Sequence, residues 1–286
     1  MRVLYSAFFV AALALSANLQ VAAQGLPAHL SALYPSWEAS LQAGEGQKVR
    51  QAAEELLNRQ DLQISPWNYN DQHAKVAILC IAARGAVLDG DWPGAVSILI
   101  QASAASQTNY ANAGEKLGDL RRQHESKISE WKEMILPQEE QLNWLKSQPG
   151  LRSEQIKQYS EIETFISEHK NAVANSEQSI ADIDSILAKL KKEEEDCAKS
   201  LSDWNSFLLK EQTEVREMGS QEKFVAEKTA QLQGATGRPH LERISYVRRL
   251  LKLDPSNAQC QALLNALLGG AKPAAAPAKT PAKGKQ

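Results

Sequence analysis

Cysteine is scarce in this chain, and so is histidine: three of one and five of the other in 286 residues. No two cysteines form a C-x-x-C pair, and no histidine stands at ligand spacing from a cysteine, so neither a zinc site nor a thioredoxin-like pair is encoded. Aromatic residues make up only 6% of the chain, which suits long helices better than a β-rich fold. Beyond residue 23 no long apolar run remains, and with it goes any expectation of a membrane-spanning segment in the body. H-E-x-x-H, G-x-S-x-G, Walker and dinucleotide fingerprints are all missing. The nearest approach, Gly44-Glu45-Gly46-Gln47-Lys48, lacks a preceding strand and reads as a turn between helices. His29, His73, His124, His169 and His240 are scattered. The expectation is a protein without catalytic residues, cofactor or metal; an envelope hydrolase would need a buried polar cluster that the pattern does not supply.

What is present begins with an address. Arg2 precedes an apolar run from Val3 to Leu15, and Val21-Ala22-Ala23 places small residues before Gln24, as at a signal-peptidase site. The run of about 13 residues is short of the roughly 20 needed to span a bilayer, so residues 1–23 are expected to be a cleaved signal peptide and the mature chain periplasmic or secreted. At the other end, residues 271–286 carry Lys272, Lys279, Lys283 and Lys285 without an acid, and Pro273, Pro277 and Pro281 forbid a helix. With no large apolar side chain to bury, this basic tail is expected to be disordered. Setting aside Arg2 and the four tail lysines turns the formal net charge of −2 into −7 for residues 24–270. No specific nucleic-acid site is expected from such a balance.

From Pro27 to Ala105 apolar residues recur at three- and four-residue intervals, predicting helices over Ser36–Ala43, Gln47–Arg59, Asp71–Leu88 and Pro93–Ser103. Breaks fall at Gly44–Gly46, Ile64–Pro66 and Asp89–Asp91, where Asp91 is placed to cap the next helix. Cys80 and Cys260 lie in apolar helical runs and read as small buried hydrophobes.

Residues 79–102 resemble a tetratricopeptide repeat. Leu79, Ala82, Ala83 and Ala86 form the close face of one helix, Gly90 the turn, Trp92 the opening of the next, and Ala95, Leu99 and Ala102 its matching face. Small residues at the crossing let two antiparallel helices approach, and the turn needs a residue tolerant of positive φ. Trp37 to Leu57 resemble a weaker copy. Leu79 and Ala86 stand where the family usually has tryptophan and tyrosine, and no proline closes the repeat near Gln107. Near the other end, Leu250, Leu251 and Leu253 followed by Asp254-Pro255-Ser256-Asn257-Ala258 resemble the closing turn of such a repeat, with Asp254 as cap and Pro255 at the first helical position. The resemblance implies helical hairpins that bind peptides or partner proteins.

Between these pieces runs a heptad pattern. One row reads Tyr159, Ile166, Val173, Ile180, Leu187, Glu194, Leu201, Leu208, Val215, Glu222, Thr229; the other reads Ile162, His169, Ser176, Ile183, Leu190, Cys197, Trp204, Glu211, Met218, Val225, Leu232. These are the a and d rows of a coiled coil. A single helix over residues 159–232 would span about 110 Å, too long to stand without a partner. Leu117, His124, Trp131, Gln138 and Leu145 with Arg121, Ile128, Ile135 and Leu142 supply a first arm, and Ser147-Gln148-Pro149-Gly150 a sharp turn, predicting an antiparallel hairpin. Pro137 is expected to kink the first arm or loosen its last turns. The arms differ in length. The favoured resolution starts the first arm as early as Pro93; a homodimer and a bend near His169–Gln178 into a three-helix bundle are the alternatives. His169, Ser176, Glu194, Glu211 and Glu222 weaken the seam and set register or admit water. Cys197 reads as an isolated thiol, or as a bridge between parallel chains.

The fold expected is all-α: repeat-like hairpins flanking a long antiparallel coiled-coil hairpin, divided as 24–107, 108–233 and 238–270. The function expected is that of an exported scaffold or adaptor for other proteins in a bacterial envelope, with a protein partner of undefined identity and a possible homodimer through the coil. The alternative is a periplasmic holdase or cargo binder that grips clients between its arms.

Overall fold

A computed structural model describes residues 33–58, 68–233 and 239–269. The proposed signal segment, the basic tail and the Ile64–Pro66 break lie outside these residues. Among the described residues every regular element is an α-helix and no strand occurs. In chain order these are α1 (Tyr34–Gln42), α2 (Gly46–Asn58), α3 (Tyr69–Leu88), α4 (Trp92–Ser147), α5 (Ser153–Met218), α6 (Gln221–Gln233), α7 (His240–Leu253) and α8 (Ala258–Leu267). They are divided between two compact units. One contains the described residues up to Asn58 with 74–102 and everything described from 198 onward; the other contains 68–73 and 103–197.

The first unit is built around α3. From Val76 to Ala83 every residue of this helix is buried. A helix apolar on all sides belongs in a core. Its neighbours fit closely because glycine replaces side chains at the crossing: a Cβ on Gly46 would lie 2.4 Å from the Gly85 carbonyl oxygen, and one on Gly85 2.6 Å from that of Gly46. The expected turn at Asp89–Asp91 is present, with Gly90 at φ +74°. Asp91 accepts the Gly94 amide at 3.1 Å and so caps α4. Leu79, Ala83, Trp92, Ala95, Leu99 and Ala102 are all buried.

Helices α6, α7 and α8 pack on one another in the same unit. Helix α7 reaches the α3–α4 turn: a Cβ on Gly90 would strike the Arg249 backbone nitrogen at 2.4 Å. Arg248 Nη1 donates to the carbonyls of Gly44 at 2.7 Å and Leu88 at 3.0 Å. The two pieces read as flanking the coil are thus joined in space. The start of α8 differs from expectation. Asn257 is its cap, accepting the Cys260 amide at 2.9 Å, while Asp254 ends α7 and holds Ser256 by its amide at 3.2 Å and its hydroxyl at 2.7 Å. Pro255 lies exposed in that turn, not at the first position of α8.

Most of the second unit is an antiparallel pair made by residues 103–147 of α4 and 153–197 of α5, with the start of α3 beside it. Its direction is fixed by cross-helix contacts: Arg121 to Asp184 at 3.1 Å, His124 to Ser176 at 3.2 Å, Lys132 to Glu177 at 3.3 Å and Lys170 to Glu139 at 2.6 Å. From Arg121 to Glu139 along α4 the partner on α5 moves back from Asp184 to Lys170. The turn comes where the sequence placed it, with Gly150 at φ +73° between helices that end at Ser147 and resume at Ser153. Helix α4 runs unbroken through Pro137.

Two boundaries move. No residue between Ser103 and Lys116 stops α4, so the helix that starts in the repeat-like module becomes the first arm, and the lengthened arm is the arrangement observed. The second arm ends at Met218, because Gly219 adopts φ +78° and Ser220 starts α6, its hydroxyl accepting the Lys223 amide at 3.2 Å. Val225, Thr229 and Leu232 continue the heptad numbering but are buried in the α6–α8 group.

Candidate functional site

The heptad rows separate into a deep row and a shallow one. In the d row Ile162, Ser176, Ile183, Leu190, Cys197, Trp204 and Glu211 are buried, and His169 is half-buried. In the a row Ile166 and Val173 are buried, whereas Ile180, Leu187, Leu201, Leu208 and Val215 are all only half-buried. In the second unit, Ile135, Leu142, Leu145, Ile162, Ile166 and Val173 form one apolar cluster near the hairpin turn. Away from that turn the a row is no longer sealed.

Several polar side chains in and beside the seam have partners. His169 stacks on Phe165 with centroids 3.9 Å apart, and its Nδ1 lies 2.8 Å from the Phe165 carbonyl oxygen, so that nitrogen carries the proton. His73 pairs with Glu193, both largely buried. Glu211 was expected to weaken the seam or mark a wet position. Instead its side chain is 4% exposed and forms a forked pair with Arg249 of α7, with Nη2 to Oε1 at 2.5 Å and Nε to both oxygens at 3.1 and 3.2 Å. Glu222 is exposed, as a water-facing position requires.

That ion pair belongs to an aromatic joint inside the first unit. Trp92 lies 5.8 Å from Trp204, 5.0 Å from Phe207 and 5.4 Å from Tyr246, centroid to centroid, and the Arg249 guanidinium sits 5.6 Å from its ring. Trp92 Nε1 donates to Ser245 Oγ at 3.2 Å and to the Val87 carbonyl at 3.3 Å. Trp204, bulky for a two-stranded seam, is accommodated because four helices meet there. Sequence reading identified Trp92 and Trp204 separately; Phe207, Tyr246 and Arg249 lie outside any row or motif, and only an unpaired core glutamate hinted at a basic partner.

An open depression of about 430 Å³ in the same unit is lined by Gly44–Lys48, Gln51, Asp89 and Arg248. Arg248 Nη1 is engaged by the two backbone carbonyls. Nearby, burial acts to raise the Asp91 carboxyl, but the Arg50 guanidinium at 2.6 Å and the Gly94 amide outweigh it and hold the group below the ordinary aspartate value. Burial pushes the Cys260 thiol up, as suits a small core residue. Cys80, Cys197 and Cys260 are all buried and none is in a disulfide. Among the described residues no group of three or more metal-ligating side chains occurs, and no helix is long and apolar enough to cross a membrane.

Apolar side chains are also displayed outward. Leu120, Met134, Leu136 and Trp144 of α4 and Ile156 of α5 are exposed in the second unit, as are Ile100, Leu209 and Leu268 in the first. Trp144 belongs to neither apolar row of the first arm, which is the signal by which sequence alone could have marked it. No family model matches the chain, and neither does any curated protein or solved structure.

Proposed function

We propose that this protein is an exported helical scaffold or adaptor that holds partner proteins in a bacterial envelope. The observation that carries the reading is the shallow a row: Ile180 and Leu187 recur at heptad spacing yet remain half-buried in the second unit, and Leu120, Met134 and Leu136 lie exposed there. Apolar positions with helical periodicity, left uncovered along an arm, suit the face of another helix. The resemblance of residues 79–102 to a tetratricopeptide repeat and the signal-like first 23 residues support the role and the location.

A photo-crosslinking residue at Leu120 or Leu136, introduced in producing cells, tests it. The scaffold reading expects one discrete adduct, common to both positions, in the envelope fraction. A broad distribution of adducts that grows under unfolding stress would favour client holding instead. Adducts confined to cytosolic proteins would refute the export assignment.

A further inference from the structure

The end of the hairpin in the second unit carries a chemistry distinct from the arm behind it. Trp144 lies in the last turn of α4 and is 56% exposed; Ile156 lies in the first turn of α5 and is 55% exposed. Between them Pro149 is exposed in the turn, while Leu151 packs inward against the apolar cluster. A large indole held open to solvent on a turn of an otherwise paired helix contributes nothing to the hairpin's own core.

Charge changes sign at the same place. Residues 143–158 contain Lys146, Arg152 and Lys157 against Glu154 alone, a net +2, and Lys146, Arg152 and Lys157 are all exposed. Immediately behind, residues 130–142 and 159–170 contain Glu130, Glu133, Glu139, Glu140, Glu161, Glu163 and Glu168 against Lys132 and Lys170, a net −5. A basic end with exposed apolar side chains therefore caps an acidic arm. Tryptophan settles at the boundary between headgroups and acyl chains, and neighbouring lysine and arginine are drawn to anionic lipid. An acidic flank is repelled by the same surface, so the arm cannot lie flat on it and only its end can approach.

We infer that the hairpin end, through Trp144 and Ile156 with Lys146, Arg152 and Lys157, docks end-on to an anionic phospholipid surface. The inference stands on this end alone and does not depend on what the sides of the arm bind. With only two large apolar side chains and three cations the attachment is weak and reversible, and salt loosens it.

Vesicle co-sedimentation of the full chain, taken in the form in which it accumulates in cells, tests the inference. Vesicles of phosphatidylcholine alone are compared with vesicles containing roughly one-third phosphatidylglycerol. Binding to the anionic vesicles is expected to exceed that to the neutral ones. The paired variant W144S/I156S and the triple variant K146Q/R152Q/K157Q are each expected to lower it about tenfold, with circular dichroism unchanged. The same comparisons are made with Lys272, Lys279, Lys283 and Lys285 changed to glutamine, and the dependence on the hairpin end is expected to persist. A second readout does not need the polar variants: bromine-labelled lipid should quench the part of the fluorescence that the conservative variant Trp144→Phe removes. The proposal is overturned if W144S/I156S binds anionic vesicles within about twofold of the parent, or if Trp144 is not quenched. It is equally overturned if the variants abolish self-association in light scattering while vesicle binding stays, because the end would then be a contact between copies.

Discussion

The two units contain stretches of the same two long helices under opposite circumstances. Residues 92–102 of α4 and 198–218 of α5 belong to a many-sided core, where Trp92 and Trp204 are each covered by several helices and even Glu211 is buried with a fixed partner. Residues 103–147 and 153–197 form a paired arm, where the a row is sealed at Ile166 and Val173 and half open at Ile180 and Leu187. One heptad pattern thus serves two kinds of packing: the buried polar residue of the many-sided core is Glu211, held by the Arg249 guanidinium, and that of the arm is Ser176, whose hydroxyl lies 3.2 Å from His124 Nδ1.

The largest effect expected from this contrast is at the buried ion pair. Glu211→Ala should cost about 3–5 kcal/mol, because it strands the Arg249 guanidinium among aromatic rings, and urea denaturation measures it. A cost below about 1 kcal/mol would mean that water reaches the joint. Next come two neighbouring leucines. Leu190→Asp places a charge in the deep row and should cost several kcal/mol, of the order of 3, whereas Leu187→Asp in the shallow row should cost about 1. Equal losses of thermal midpoint would erase the distinction between the rows. The smallest effect concerns Asp91. Its carboxyl is held low in the folded chain, so its contribution is present above the unfolded pKa and disappears as pH falls through the folded value. Asp91→Asn keeps an acceptor for the Gly94 amide but loses the charge facing Arg50. It should lower stability by less than about 1 kcal/mol at neutral pH and flatten the decline of stability in acid titration.

Helix type, the turn at Ser147–Gly150 and the turn at Gly90 were all legible because each rests on local chemistry: period, proline, glycine. The meeting of α7 with the α3–α4 turn was not. Its determinants, Ser245, Tyr246, Arg248 and Arg249, sit on a short helix more than 140 residues away and follow no rule of spacing. The end of the second arm was missed for a simpler reason. Val225, Thr229 and Leu232 keep the seven-residue count across Gly219, and periodicity alone cannot tell a continuing helix from a new one that restarts in phase. Asp254 was misassigned because an aspartate before proline suits a helix cap, whereas Asn257, closer to the helix, supplies the oxygen.

The three sulfhydryls have a practical consequence. Cys80 and Cys260 lie within the many-sided core and Cys197 within the arm, all shielded and none cross-linked. Each can be alkylated only when its surroundings part, so the rate at which a reagent such as iodoacetamide marks each one times the transient opening of that region. Mass spectrometry of the tagged peptides would then rank the two regions by their readiness to breathe, without altering a single residue.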